Sequence, residues 1–359
     1  MSRRQFFVMY CCSMDRTWPY MFEPVVSTLL EGARKTLSGF DVQEVLLPTP
    51  VINSSFLKLF TYGDVAVCVG PLVCPRLEWN TLKRHHVRTI YFQTEPTHRC
   101  LHFHGVDEVW DFSWHNIEAC RLRSACTTAD PCVDQGCMRC AGHAVLEGPA
   151  WQASTTTRRA CAIIGDSACG KQFVLRYVPL GALNNTPVAQ HLDTIDSLTF
   201  LGNAHYRDDG CWRRIQAHMP HNTTLAIHSN IWSNTAFAQL LGSHQVFVNV
   251  HKSVKRAAND WETYCGDAHN PATFRFAKLL NAHALLISER CDRLDEAEFS
   301  DLVTFSDFES IGGEFERLRR LNVIERRARA NKISAEFISR FDPGAIFVRA
   351  GIVESLLGS

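Results

Sequence analysis

The chain has 359 residues, 46% of them hydrophobic, and its 37 Lys and Arg residues are matched by 37 Asp and Glu residues. This length exceeds what a single hydrophobic core usually supports, so two domains are expected. The hydrophobic share excludes a disordered chain, and the balanced charge excludes an overall basic field for nucleic acid. No apolar run reaches the roughly 18 residues that a transmembrane helix needs.

Short apolar runs alternate with helical patterns over the first 120 residues. The stretch 5–10 lacks the long apolar region and the cleavage site of a signal peptide, so it predicts a first buried strand. A helix follows, because apolar residues from Phe22 to Leu37 recur at the period of one helix face. Buried parallel strands separated by helices predict an open, Rossmann-like α/β sheet without its glycine fingerprint. The predicted strands are 6–10, 44–47, 65–69, 88–93 and 106–112.

Residues 121–172 break this alternation and are rich in Cys, Thr, Ala and Gly, which indicates an irregular insertion. Cys137 and Cys140 form a CxxC pair with His143 three residues later, a spacing typical of Zn²⁺ ligands. Cys126 and Cys132 lie nearby, but a second well-spaced CxxC pair is missing, so reduced loop thiols remain an alternative to a zinc site.

Fifteen cysteines are spread along the whole chain. The adjacent Cys11 and Cys12, and Cys68 within a predicted strand, are typical of buried thiols rather than of a disulfide framework. This usage predicts a cytoplasmic protein.

Residues 165–171 match the first seven positions of a phosphate-binding P-loop, after an apolar run at 160–164. A P-loop continues with a Ser or Thr that binds Mg²⁺ and with a long helix. Gln172 takes the Ser/Thr position, and Pro179 comes too soon for a long helix. A P-loop phosphotransferase is therefore only an alternative interpretation.

A second alternation begins at Ser197. Its predicted strands are 198–201, 224–227, 246–250, 284–288 and 302–305, with helices near 208–219, 234–241, 273–282 and 309–321. We therefore expect an N-terminal Rossmann-like domain over 1–178 and a C-terminal one over 179–325. A partly helical, basic tail is expected over 326–359. Two α/β domains in tandem leave a cleft between them, where ligands often bind.

Three features of the second domain fall where predicted strands end. Gly202 and Asn203 follow strand 198–201, and a glycine there allows close approach of the backbone to a ligand. The segment 249–252, with Asn249, His251 and Lys252, closes strand 246–250, and Glu289 follows strand 284–288. Ligands of open α/β sheets bind at the carboxyl ends of strands, so these features predict one site.

A predicted helix start adds positive charge to this site. Asn270 followed by Pro271 is typical of an N-cap and first helical position, and free N–H groups at such an end favour an anion. Arg275 lies about one turn into the helix and points back toward its start. With Lys252, it predicts an anion site; the alternative is a purely structural ion pair between Arg275 and Glu289.

A set of short motifs over residues 90 to 310 resembles a known group of proteins. They are YFQTE at 91–95, VWDFS at 109–113, YVPLG at 177–181, FLGN at 200–203, VNVHK at 248–252, FRF at 274–276 and LISE at 286–289. Together they resemble GT-B-fold glycosyltransferase-like proteins, including spore-maturation-type and group 1 glycosyltransferases.

The resemblance implies two Rossmann-like domains facing across a cleft, with a nucleotide-sugar donor bound mainly by the C-terminal one. Arg275 and Lys252 would contact the diphosphate and Glu289 would lie near the ribose. Gly202 and Asn203 would approach the phosphates, and Asn249 and His251 would line the same donor site. No metal and no cofactor besides the donor is implied. The acceptor, whether a glycan, a protein or a small molecule, is open, as is the choice between retaining and inverting transfer.

For the reaction, the resemblance implies that Arg275 stabilises the departing diphosphate. An inverting transfer also needs a base from the N-terminal domain. Glu95 follows strand 88–93 and is the first candidate, with His104 or Asp111 behind it. Group 1 enzymes carry two glutamates eight positions apart, and Asn281 stands eight before Glu289. A catalytically inactive binding protein is therefore a second hypothesis.

Overall fold

The structure, a computed structural model, describes residues 3–11, 18–47, 57–70, 79–94, 106–117, 161–166, 171–184, 186–202, 204, 207, 209–229, 231, 233–251, 253–256, 261–264 and 273–358. The chain divides into two compact units. The first contains Met1–Pro179 and Pro343–Ser359, and the second contains Leu180–Asp342. The sequence predicts one tail over 326–359, whereas the structure divides this segment between the two units.

The first unit is built on a seven-stranded sheet in the order β2-β1-β3-β4-β5-β7-β6. All neighbouring strands are parallel except the last pair, β7 and β6. The strands are β1 (Arg4–Cys11), β2 (Phe40–Leu47), β3 (Val65–Val69), β4 (Arg88–Gln93), β5 (Glu108–Asp111), β6 (Cys161–Asp166) and β7 (Lys171–Tyr177), with helices α1 (Trp18–Thr36) and α2 (Trp79–Arg84). The expected α/β sheet is thus confirmed for this half.

Strands β6 and β7 form an antiparallel hairpin in which Asp166 pairs with Lys171. Lys171 therefore opens a strand, whereas a P-loop requires a helix at this point. The P-loop interpretation is wrong for this physical reason. Strand β6 also lies inside the segment 121–172 that was expected to be irregular, while the cysteines of the possible zinc site lie outside the described residues.

The end of the chain packs onto the first unit through helices α9 (Pro343–Arg349) and α10 (Ile352–Leu357). The ring of Phe347 lies 6.2 Å from that of Phe6 and 6.0 Å from that of Trp110. Helix α1 approaches so closely that a Cβ at Gly32 would lie 2.3 Å from Phe347 Cδ2. The glycine thus permits this contact between α1 and α9.

A buried carboxylate ties the sheet of the first unit to its C-terminal helices. Glu108 is 1% exposed and accepts hydrogen bonds from Arg176 Nε at 2.6 Å and from Arg88. Arg176 also donates to the carbonyl of Ala350 at 2.9 Å, and Arg88 to that of Ser355 at 2.7 Å. Burial raises the pKa of Glu108, but Arg176 and Arg88 outweigh it and hold the pKa below its ordinary value of 4.5.

We expect Glu108→Gln to lower the free energy of unfolding by about 2 kcal/mol at pH 7, because the neutral amide keeps hydrogen bonds but loses the charge. A carboxyl whose pKa is depressed by folding stabilises the protein above its ordinary pKa and less as the pH falls through the folded value. The difference between wild type and variant should therefore shrink below pH 4.5. Urea unfolding at several pH values measures this, and a difference independent of pH would contradict it.

The second unit contains a five-stranded parallel sheet in the order β14-β13-β10-β8-β9. Its strands are β8 (Ser197–Leu201), β9 (Thr224–His228), β10 (Val246–Asn249), β13 (Leu285–Glu289) and β14 (Thr304–Ser306). A separate antiparallel pair is formed by β11 (Ser253–Arg256) and β12 (Trp261–Tyr264). The helices are α3 (Asp209–Ala217), α4 (Asn234–Leu241), α5 (Thr273–Asn281), α6 (Arg293–Phe299), α7 (Ile311–Arg320) and α8 (Val323–Arg340). The second α/β sheet is thus also confirmed.

The core of this unit joins the central strands to helices α3 and α7. Phe200, Val248 and Ile287 come from three neighbouring strands and are fully buried against Ile215 and Phe315. Strands that are buried along their whole length, as these three are, are expected in a parallel sheet covered on both faces. The core thereby fixes where the three strands end.

Within the described ranges, no helix has the length and apolarity required to span a bilayer. Cys68 is a free, buried thiol, as expected, and Cys291 is also free, whereas Cys211 is disulfide-bonded.

Candidate anion site at the strand ends

Five of the predicted site residues lie in the second unit near the carboxyl ends of β8, β10 and β13: Gly202, Asn249, His251, Arg275 and Glu289. These strands are parallel neighbours, and Asn249 is paired in register with Ser288. Carboxyl ends of parallel strands form one edge of a sheet, the usual ligand edge of α/β folds.

A buried polar network joins the ends of β10 and β13. Asn249 Nδ2 donates to Ser288 Oγ at 2.9 Å and lies 3.3 Å from His251 Nδ1. The backbone N–H of His251 donates to Glu289 Oε2 at 2.9 Å, and His251 Nε2 lies 3.0 Å from the carbonyl oxygen of Glu289. A carbonyl only accepts, so Nε2 carries a proton and Nδ1 accepts from Asn249, which is the neutral tautomer. The network holds the two strand ends in a fixed geometry.

Arg275 lies in the first turn of α5 and donates from Nη1 to Asn249 Oδ1. Its guanidinium carbon lies 4.9 Å from the centre of the Phe200 ring. Burial and the neighbouring charge of Arg207 hold the pKa of Arg275 well below its ordinary value. Among the residues that the structure describes, no carboxylate pairs with Arg275. The alternative of a structural ion pair between Arg275 and Glu289 is therefore wrong.

A second arginine, Arg207, belongs to the same site, although no motif in the sequence marks it. Its Nε and Nη2 donate to the carbonyl oxygen of Val250 at 2.8 and 2.6 Å, and its guanidinium carbon lies 4.7 Å from the Phe200 ring centre. Burial lowers the pKa of Arg207 to about 10, with Glu289 partly opposing the shift. The only sequence signal is a cation shortly after the end of β8. By contrast, Arg214 is an exposed residue paired with Glu309.

Gly202 provides room for Arg275 beside the end of β8. Its φ of 144° is a backbone conformation that residues other than glycine rarely adopt. A Cβ at this position would lie 3.0 Å from Arg275 Nη2. The absence of a side chain at Gly202 therefore lets the guanidinium of Arg275 lie close to the backbone at the end of β8.

The start of α5 provides further donors. Thr273 opens this nine-residue helix and is 1% exposed, and its Oγ1 has no hydrogen-bond partner among the described residues. The first N–H groups of any helix lack partners within the helix, and the helix dipole favours an anion there. Arg207, Arg275 and the start of α5 therefore suit a ligand with more than one negative charge.

The remaining predicted site residues either lie outside the described part of the chain or belong to the first unit. Glu95, His104, Asn203, Lys252 and the predicted helix start at 270–271 lie outside the described residues. Asp111 ends strand β5 in the first unit and accepts from Ser113 N at 2.9 Å and Asn116 Nδ2 at 3.1 Å.

Asn281 lies at the far end of α5, immediately before β13 begins. Its Nδ2 donates to the Leu183 carbonyl and to Thr186 Oγ1, both at 2.6 Å. It is thus near the amino end of β13, whereas Glu289 is at the carboxyl end. An acidic residue at 281 would not reach the anion site, so its absence says nothing about catalysis.

Comparison with protein-family models finds no match, and neither does comparison with curated proteins. Solved structures share the fold at low sequence identity. An α,α-trehalose 6-phosphate synthase from Burkholderia multivorans is 10% identical, with 99% of each chain covered and a TM-score of 0.54. Sucrose-phosphate synthase from Thermosynechococcus elongatus is also 10% identical, with 99% of each chain covered and a TM-score of 0.53.

A third similar structure, trehalose-6-phosphate from E. coli bound with UDP-2-fluoro glucose, is 8% identical. It covers 98% of this chain and 99% of its own, with a TM-score of 0.52. Together these likenesses confirm the GT-B-type α/β fold that the motif resemblance implies.

Proposed function

We propose that this protein transfers a sugar from a nucleotide-activated donor to an acceptor hydroxyl. The observation that carries the proposal is the pair Arg207 and Arg275, placed within 5 Å of the same Phe200 ring, with no carboxylate on Arg275 among the described residues. The acceptor is left open as a glycan, a protein or a small molecule.

Two neighbouring guanidinium groups taken out of water are unfavourable unless an anion compensates them. A diphosphate provides two adjacent negative groups, and Arg forms strong, charge-assisted hydrogen bonds to phosphate. Thr273 Oγ1 and the start of α5 add neutral donors. The E. coli structure of the same fold is bound with UDP-2-fluoro glucose, a ligand of this class, which supports the choice of donor.

In the proposed reaction, the bond between the sugar's anomeric carbon and the diphosphate breaks, and a new bond forms to the acceptor oxygen. Negative charge accumulates on the leaving diphosphate, where Arg275 and Arg207 are already positioned to stabilise it. We propose that Glu289 lies near the ribose and that Gly202 and Asn203 approach the phosphates. Lys252 would add a further positive charge at the diphosphate.

The acceptor hydroxyl must lose its proton, and Glu95 remains our candidate base, followed by His104 and Asp111. Because the guanidinium groups neutralise the leaving group, the proposal requires no metal and no other cofactor. Addition of EDTA should therefore leave the rate unchanged.

The proposal is tested by screening UDP-, GDP- and ADP-sugars by thermal shift, since a ligand of the folded state raises the unfolding temperature. Calorimetry on the best donor and release of the nucleoside diphosphate then follow. Binding with no release under any acceptor would favour the inactive binding protein. Failure of every nucleotide sugar to bind would contradict the proposal.

A nearly isosteric change, Asn249→Asp, tests the role of charge. The new carboxylate would pair with Arg275 and neutralise it, so we expect donor affinity to fall about tenfold, or roughly 1.4 kcal/mol. Calorimetry measures the loss, and Asn249→Ser serves as the control that leaves Arg275 charged. An equal loss in both variants would contradict the electrostatic explanation.

A further inference from the structure

A cavity of about 510 Å³ lies in the second unit beside the edge strand β14. It is lined from α6, α7 and α8 and shares no lining residue with the anion site described above. Its apolar wall includes Leu286, Leu318 and Ile333, and Arg293 and Arg329 also line it. Its volume falls in the range of small-molecule pockets, about 300–1,000 Å³.

The charge of Arg329 is poorly compensated in this cavity. Arg329 is half-buried, and its one hydrogen bond among the described residues runs from Nη2 to Thr304 Oγ1 at 3.4 Å. The nearby Glu314 is held by Arg317 at 2.8 and 2.6 Å. Burial, followed by the charge of Arg317, lowers the pKa of Arg329, with Glu314 opposing the shift.

The other charges around the cavity largely cancel. Arg290 pairs with Glu296 at 2.9 Å, and Arg340 lies 4.0 Å from Asp301. Arg293 is exposed and has no ion pair within the described part of the chain. The cavity therefore combines an apolar wall with two arginines, Arg293 and Arg329, that form no ion pair among the described residues. This pattern suits a ligand with an apolar body and an anionic end.

We propose that this cavity binds a small anionic amphiphile, with its aromatic or short aliphatic body against Leu286, Leu318 and Ile333. Its single carboxylate or phosphate would lie on Arg329 and Arg293. The proposal concerns a site separate from the proposed donor site and does not depend on it.

The test uses the full chain and four probes: phenyl phosphate, benzoate, inorganic phosphate and benzyl alcohol. We expect calorimetry to detect phenyl phosphate or benzoate, and to detect inorganic phosphate and benzyl alcohol at least tenfold more weakly. Arg329→Gln should lower the affinity for the probe that binds by at least tenfold. Arg327 is an exposed arginine on the same helix. The matched control Arg327→Gln should bind the probe with the affinity of wild type.

A second variant, Ala297→Phe, fills the cavity from α6 while leaving Arg329 in place, and it should also abolish binding. It replaces Arg329→Gln if that variant does not fold. Arg275→Gln should bind the probe like wild type. The proposal is overturned if no amphiphilic probe binds, if Arg329→Gln or Ala297→Phe binds like wild type, or if Arg275→Gln alone removes binding.

Discussion

Arg275→Gln is expected to weaken nucleotide-sugar binding about 100-fold, which corresponds to roughly 2.8 kcal/mol. Glutamine keeps a donor for Asn249 Oδ1 but removes the charge that we propose to face the diphosphate. Loss of one preorganised donor to a developing oxyanion has comparable effects on rate, about 10² to 10³. Calorimetric titration with the best donor from the thermal-shift screen gives the change in affinity.

The matched control is Arg214→Gln in the same unit. Arg214 is an exposed arginine paired with Glu309 on the surface, where ion pairs contribute little. The affinity of the Arg214→Gln variant for the donor should equal that of wild type. Wild-type affinity in Arg275→Gln, or an equal loss in Arg214→Gln, would exclude the strand-end site as the diphosphate site.

Arg275→Gln also distinguishes a ligand site from a structural contact. Arg275 is half-buried and has no carboxylate partner within the described ranges. Such a cation destabilises the ligand-free fold, so removing its charge should leave stability unchanged or raise it. If Arg275 instead held the fold together, Arg275→Gln would unfold at a lower temperature without ligand. Thermal unfolding of the ligand-free variant decides between the two.

Much of the fold and part of the site follow from local sequence. Strands such as β3 and β10 are buried on both faces, so they appear as continuous apolar runs. Gly202, Asn249 and Glu289 were predictable because each follows such a run, and parallel strands bring their ends to one edge. Arg207 was not predictable, because the sequence between β8 and α3 has no periodicity that would indicate a place beside Phe200.

Two other features depend on distant contacts. The string at 165–171 resembles a P-loop, but whether Lys171 begins a helix or a strand is decided by pairing across the hairpin with β6. The return of residues 343–358 to the first unit depends on contacts such as Arg176 with the Ala350 carbonyl, 174 residues apart. No local pattern reports such partners.

The adjacent glycines of α7, Gly312 and Gly313, differ in how closely a Cβ at each would approach other residues. A Cβ at Gly312 would lie 2.2 Å from the carbonyl oxygen of His218 and 2.9 Å from the backbone nitrogen of Met219. These are backbone atoms that cannot rotate away, so α7 must shift from the segment after α3. That shift would open the core shared by Phe315 and Ile215.

We expect Gly312→Ala to lower the free energy of unfolding by about 3 kcal/mol, the upper end for overpacking. The unfolding temperature should fall by roughly 6–12 °C in a unit of this size. At Gly313, a Cβ would meet no atom within 4 Å, so Gly313→Ala should raise stability by up to about 1 kcal/mol through helix propensity. Both changes give the same propensity gain on one helix, so their opposite signs isolate the steric contact with His218. Thermal unfolding that moves in the same direction for both would show that α7 does not pack there.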